Sequence, residues 1–252
     1  MKVVLIGSGN VATVLGYKIS AAGHTIRQVI SRNETHAALL AGELNCGYSS
    51  AFESIDRDAD LYIIAISDDA LATIDTKLFL EKKMVVHTAG SVSKDILKKV
   101  SKNYGVLYPF QSLRKEKVNI REMPLLVDAN TDDNSTLIYD FAKTISEQVS
   151  RVGDEERKKL HLGAIMVNNF ANHLYALTQD YCKKENIDFT LLLPLIHETS
   201  SRLQFYPAIE MQTGPAVRND SITIKKHLAL LRKYPSLKKI YQLFTSSIQT
   251  LG

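Results

Sequence analysis

At 252 residues the chain has room for one large or two modest domains, each able to bury a core. A formal charge of +4, with no clustered Lys/Arg run and no basic-aromatic interleaving, argues against nucleic acid as a partner. Cys46 and Cys182 have no metal or redox spacing, no apolar run reaches membrane-spanning length and no leader pattern opens the chain. A reducing cytoplasm, no metal and no membrane are therefore expected.

Lys2 to Ile6 is a short apolar run that predicts a strand. Gly7-Ser8-Gly9-Asn10-Val11-Ala12 follows, and apolar residues then recur at Val11, Val14, Leu15, Ile19 and Ala22 with helical spacing. The turn reads G-x-G-x-x-A. Gly7 permits the tight turn, Gly9 lets backbone approach a pyrophosphate and Ala12 lets the helix pack closely, while the helix N-terminus offers free N–H groups to phosphates. A second strand, Thr25 to Ile30, completes the start of a βαβ unit, so residues 7–12 are candidate dinucleotide-binding residues. After it come Ser31-Arg32-Asn33, with no carboxylate at the strand end to hold a ribose 2′-OH. Arg32 suits a 2′-phosphate through paired hydrogen bonds, which favours NADP, and the nearby Glu34 keeps NAD open.

Thr35 to Leu44 reads as a helix and Cys46 to Tyr48 as a short third strand. Leu61 to Ile66 is nearly all apolar, the mark of a central parallel strand buried on both faces. It ends in Ser67-Asp68-Asp69-Ala70. Ser67 or Asp68 serves as a helix cap or, lying outside a strand's carboxyl end, as a cofactor contact. Met84 to His87 is the next strand and runs into Thr88-Ala89-Gly90-Ser91. A helix from Lys94 to Val100, a strand from Gly105 to Tyr108 broken by Pro109, a strand at Leu125 to Val127, a helix from about Asp132 to Glu147 and a strand from Val149 to Val152 complete an α/β domain over residues 1–153. Its fold class is a doubly wound, mostly parallel sheet of Rossmann type.

From Asp154 strands disappear, and residues 154–252 read as an all-helical domain. Asp154 is expected as N-cap of one helix running to about Asn186, roughly 45 Å long at 1.5 Å per residue. Its apolar residues lie nearly all round, so it should be buried in a core or an interface, with His161, Asn168, Asn169, Asn172 and His173 forming a polar stripe. His161 and Asn168, seven positions apart, share a face. Asp188 to Ser201 is helical despite Pro194, Asp220 is a plausible N-cap for a helix to Lys233, and Pro235 opens the last helix, to about Gln249.

With these motifs on the page, the chain resembles, nearly end to end, the Rossmann-like proteins that carry the C-terminal DUF2520 domain. That group is related to pyrroline-5-carboxylate reductase, F420-dependent NADP reductase and the 6-phosphogluconate dehydrogenase-like enzymes. The matching pieces are Gly7 to Ala12, Ser67 to Ala70, His87 to Ser91, Tyr108-Pro109, Lys159-Leu160-His161 with Asn168, and Thr213-Gly214-Pro215 with Arg218 and Asp220. Two departures stand out. The family usually has His-Pro where this chain has Tyr108-Pro109, and the catalytic lysine of the wider group, four residues before an Asn, is replaced by Ala164 before Asn168 and Ile165 before Asn169.

The resemblance and the residue types together imply an NADP-dependent oxidoreductase acting on a small carbonyl or imine that bears a carboxylate. Hydride chemistry belongs to the nicotinamide, so the protein supplies position, a proton donor and a polarising group. His87 is a candidate for lining the nicotinamide pocket and Ser91 for bonding the carboxamide or substrate. His161 is the first choice as general acid or base, since an imidazole's reference pKa near 6.5 suits neutrality. Asn168 or Asn169 would orient the substrate oxygen and Arg218 would hold a carboxylate. The rival readings are a ketopantoate reductase-like or pyrroline-carboxylate reductase-like enzyme, or a non-catalytic dinucleotide sensor. The wider group pairs through its helical domain, which implies a homodimer.

Overall fold

Side chains along the first strand alternate between two cores, because successive residues of a strand point to opposite faces. The structure, a computed structural model, describes residues 1–115 and 122–251, the side chain at 251 excepted. Val3 and Leu5 pack with Ile63, Val86, Leu107, Leu15, Leu40 and Phe141 on one face. Val4 and Ile6 pack with Tyr62, Ile64, Val85, Leu71 and Val100 on the other. Full burial of one such Leu or Ile stabilises the fold by roughly 1.5–3 kcal/mol.

The strands are β1 (Lys2–Ile6), β2 (Thr25–Ile30), β3 (Gly47–Ser49), β4 (Leu61–Ile64), β5 (Met84–His87), β6 (Asn103–Pro109), β7 (Leu125–Ala129) and β8 (Val149–Arg151). They form one sheet in the order β3-β2-β1-β4-β5-β6-β7-β8. Every neighbouring pair is parallel except β6 and β7. This is the doubly wound, mostly parallel sheet expected from the alternation of strands and helices. The helices α1 (Asn10–Ala21), α2 (Glu34–Leu44), α3 (Asp68–Leu71), α4 (Asp132–Ile145) and α5 (Asp154–Ala164) accompany it. The stretch read as a helix from Lys94 is only a 3-10 turn, Lys94–Leu97, while β6 ends at Pro109 as expected and starts two residues earlier, at Asn103.

Two compact units divide the chain, Met1–Asn168 and Asn169–Gly252. The sequence divides where strands end, at 153, but by compactness α5 goes with the sheet. The second unit holds α6 (Ala171–Lys184), α7 (Leu193–Arg202), α8 (Ser221–Leu230) and α9 (Pro235–Leu251), with no strand among its described residues. Asp220 caps α8 as expected, accepting from Thr223 N–H at 3.0 Å.

The single long helix expected from Asp154 is instead three pieces, because Ile165–Phe170 winds as a π-helix. Hydrogen bonds there close at i→i+5, which lengthens the same-face spacing, so the seven-position alignment of His161 with Asn168 is lost. Within this one chain the stretch lies outside the core. Asn168, Asn169, Asn172 and His173 are exposed, as are the apolar Leu162, Val167 and Phe170 between and before them. Among the described residues no helix is long and apolar enough to cross a membrane.

Where β1 ends, the chain order forces backbones together. Gly7 has φ +123°, donates its N–H to Ile30 O at 2.7 Å, and leaves a Cβ only 2.0 Å from Ala65 O. Gly7→Ala therefore carries both a disfavoured backbone conformation and a clash with main chain that cannot rotate away. We expect a loss of at least about 3 kcal/mol in urea unfolding, and a variant as stable as the native chain would contradict this geometry.

Candidate active site

In a doubly wound sheet the crevice for ligands opens at the carboxyl ends of the strands, where the strand order reverses. Here that point lies between β1 and β4. Gly9 opens α1 without a side-chain cap, and a side chain at Gly9 would meet nothing within 4 Å. The first-turn N–H groups of α1 thus have no side-chain cap, the condition under which a helix N-terminus can receive a pyrophosphate. Ser8 Oγ donates to Ser31 Oγ at 2.8 Å, joining the turns after β1 and β2. Arg32 is exposed, and Asn33 caps α2 by accepting from His36 N–H at 3.0 Å.

A cleft of about 250 Å³ adjoins this turn, lined by Ser8, Thr13, Tyr17, His36, Glu43 and Lys115 among others. Lys115 N–H reaches Asn10 Oδ1 at 3.3 Å. His36 and Lys115 were not singled out from sequence, because neither belongs to the glycine motif. These residues fit a phosphorylated dinucleotide: a helix N-terminus with no side-chain cap, the paired hydroxyls of Ser8 and Ser31, Lys115 in the cleft wall and the exposed cation of Arg32 after β2.

After β4, Ser67 sits at the N-cap of α3 but makes no capping bond with its side chain. Asp68 instead accepts from Ser91 Oγ at 2.6 Å, so the turns after β4 and β5 are linked. His87 does not line an open pocket. It is fully buried, with Nδ1 accepting from Ala89 N–H at 3.1 Å and Nε2 at 3.3 Å from Ser93 O, so its ring shapes the turn from beneath. Burial, assisted by the Arg157 charge, pushes its pKa down to about 4.

The next turn brings two proton-bearing rings together. Tyr108, near the carboxyl end of β6, places its Oη 2.8 Å from His161 Nδ1 on α5, the rings meeting edge to face. Gly90 makes this possible: a Cβ there would lie 2.6 Å from His161 Nδ1 and 2.8 Å from Tyr108 Cζ. Burial raises the Tyr108 phenol above its ordinary pKa, opposed in part by the Arg157 charge, so the hydroxyl keeps its proton at neutral pH. The sequence marks Tyr108 only as a departure from the family's usual His. The structure makes it the partner of His161.

Asp154 is not the N-cap of α5. Gly153 holds that position, and the Asp154 carboxylate turns to Ser93 Oγ, Lys94 N–H and Arg157 Nη2. Arg157, absent from the sequence-derived candidates, is completely buried. The i, i+3, i+7 spacing of Asp154, Arg157 and His161 was a readable signal that the three share a helix face. Of the other candidates, Asn168 is exposed at the end of the first unit, and Arg218 is exposed in the helical unit just before α8. Among the described residues no group of three His, Cys, Asp or Glu could hold a metal ion.

This fold and this turn define a Rossmann-type oxidoreductase class. Residues 2–91 match the family described as NADP oxidoreductase, coenzyme F420-dependent, and residues 123–248 match the domain of unknown function DUF2520. A Bacteroides fragilis protein provisionally named an NADP oxidoreductase is 35% identical, with 99% of this chain and 98% of that one covered and a TM-score of 0.92. The chain belongs to this family of DUF2520-bearing NADP oxidoreductases. Two further solved structures share the fold: pyrroline-5-carboxylate reductase from Streptococcus pyogenes (14% identity, 99% and 98% covered, TM-score 0.64) and imine reductase from Myxococcus stipitatus (15% identity, 99% and 93% covered, TM-score 0.66). No protein of curated function matches the chain significantly.

The buried His87 yields a pH test. Its folded pKa is about 4, against about 6.5 for an unfolded imidazole. Between those values the unfolded chain binds more protons, so this contribution is full above about pH 6.5 and is lost as pH falls toward 4. We expect His87→Asn to remove on the order of 2 kcal/mol of pH-dependent stability from that window, read by urea unfolding at several pH values. A slope equal to that of the native chain would refute the assignment.

Proposed function

We propose that this protein is an NADPH-dependent reductase of a small C=O or C=N compound bearing a carboxylate, with Tyr108 and His161 as its proton-delivering pair. The observation that carries the reading is the 2.8 Å contact between Tyr108 Oη and His161 Nδ1 at the carboxyl end of the sheet. The likeness to the M. stipitatus enzyme, described in complex with NADP+, and to pyrroline-5-carboxylate reductase supports NADP(H) and a C=N substrate. NADPH supplies the hydride. Ser8, Ser31 and Arg32 hold the phosphate end, and the Gly7 to Ala12 turn receives the pyrophosphate. Tyr108 Oη gives its proton to the developing alkoxide or amine, and His161 Nδ1–H refills the phenol. Ser91, its hydroxyl tied to Asp68, serves the carboxamide or the substrate, while Asn168 and Arg218 have the chemistry for a substrate oxygen and a carboxylate. The free thiols of Cys46 and Cys182 suit a reducing cytoplasm.

The protein also acts as a homodimer in this reading. Among the described residues the helical unit buries only Cys182, Ala216 and Leu231, while Leu191, Leu195, Phe205, Ile209 and Leu243 stand more than half exposed. An open apolar cavity of about 450 Å³, lined by Leu174, Tyr181, Ile240 and Phe244 among others, adds to that surface. Exposed apolar area on this scale is covered in stable proteins, and a second copy is the partner that the chain itself provides.

Two measurements test these statements. Calorimetric titration with NADPH, NADP and NADH should show tight NADPH binding that Arg32→Ala weakens by roughly 10–100-fold with little effect on NADH. In a screen of keto acids and cyclic imines, Tyr108→Phe and His161→Gln should each lower kcat by about 10²-fold or more. Failure of all three nucleotides to bind ends the reductase reading, and binding without turnover of any substrate favours a sensor. Sedimentation equilibrium at micromolar concentration should give twice the chain mass, and a monomer mass throughout would dismiss the dimer.

A further inference from the structure

The Asp154 carboxylate gathers three donors from two elements. Ser93 Oγ and the Lys94 N–H, at 3.2 Å from each carboxylate oxygen, reach it from the segment after β5. Arg157 Nη2 reaches it at 2.7 Å from the next turn of α5, and the same nitrogen also donates to Val92 O. Lys94 continues the chain of contacts, its Nζ donating to Asp128 Oδ2 on β7 at 2.8 Å. Residues 92–94 are thus clamped between the first turns of α5 and the sheet.

Gly90 and His161 are the two surfaces that this clamp brings together. His161 lies one turn beyond Arg157 on the same helix face, and Gly90 lies two residues before Val92. The fit between them is close, since not even a methyl group has room at Gly90 beside His161 and Tyr108. A small rotation of α5, or a slip of the 90–94 segment, would part Tyr108 Oη from His161 Nδ1.

We propose that Asp154 and Arg157 are positioning residues: their ion pair, between a buried guanidinium and a part-buried carboxylate, locks α5 onto the 92–94 backbone and thereby holds His161 in hydrogen-bonding register with Tyr108. The inference rests on the reading of Tyr108 and His161 as the proton-delivering pair. Arg157 does more than a neutral staple. It is fully buried, its Nε and Nη1 find no acceptor among the described residues, and its positive charge lowers the pKa of both His87 and Tyr108. The other charged groups acting on these rings are Asp68 on both and Asp154 on His87. The one cation among these groups therefore comes from the residue that also sets the geometry.

The test needs no substrate. In the full-length ¹⁵N-labelled protein at fixed pH, the Nδ1 and Nε2 shifts of His161 report its tautomer and hydrogen bonding, with His161→Gln assigning the signals. Tyr108→Phe defines the unpaired state. Arg157→Met and Asp154→Asn should carry the His161 shifts most of the way to the Tyr108→Phe values, and Arg157→Lys should restore much of the native signal. Ser93→Ala, which removes a single arm and leaves both charges, should move them part of the way and serves if the charge variants fail to fold by near-ultraviolet circular dichroism. Native His161 shifts in folded variants would overturn the proposal, and so would a Tyr108→Phe variant that leaves His161 unmoved. NADPH calorimetry on the same samples separates this outcome from failure of the reductase reading, because the ring shifts are read without cofactor.

Discussion

The close approach of two backbones, at Gly7 and Ala65, is the constraint on which the site depends. Reversal of strand order places β1 between β2 and β4, so the chain leaving β1 must clear both neighbours at once. It does so by bonding Gly7 N–H to the last residue of β2 and by passing Ala65 O at a distance that no side chain tolerates. A residue with a Cβ would lift this turn off the sheet. Ser8 would then lose Ser31, and α1 would no longer present its open N-terminus to the crevice. The turn after β1 is therefore built from main chain first and side chains second.

At the other end of the crevice the logic is reversed, since side chains hold the backbone. The turns after β4 and β5 are linked by Ser91 and Asp68, His87 fills the space beneath, and the Asp154 carboxylate draws residues 93 and 94 onto α5. Burying the Arg157 guanidinium is a costly way to join two elements, because desolvation offsets much of its attraction to the part-buried Asp154. The observed arrangement recovers part of that cost through hydrogen bonds. Burial alone would raise the Asp154 pKa, but the bonds from Ser93, Arg157 and Lys94 outweigh it and hold the carboxyl below its usual range.

Much of the fold was legible because it rests on local rules. The alternation in β1, the unbroken apolar runs of β4 and β5 and the glycine turn each specify their own geometry within a few residues. The Asp220 cap and the helices around it were legible for the same reason. What escaped were features set by distant partners. Asp154 looks like a helix cap in sequence, since an Asp before two Glu and a helical run is what a cap resembles, and only Ser93 and Lys94, some 60 positions earlier, draw it elsewhere. His87 read as a pocket wall because a histidine at a strand's carboxyl end suits that role, yet its two ring nitrogens are engaged within its own turn. The π-helix at Ile165–Phe170 leaves no apolar signature, because the run is apolar and polar on every side.

Tyr108 shows most clearly how pairing changes the meaning of a residue. Taken alone, Tyr in place of the family's usual His removes a group that titrates near neutrality, and a buried phenol with a raised pKa is a poor source of a mobile proton. Set against His161 Nδ1, the same phenol has a hydrogen-bonded neighbour 2.8 Å away that serves as its proton relay in the proposed mechanism. The division of labour is then physical. In the proposed mechanism the phenol, whose pKa burial raises, stays protonated at neutral pH, and the imidazole beside it refills it. The Arg157 charge opposes that burial in part, lowering the cost of a phenolate without removing it.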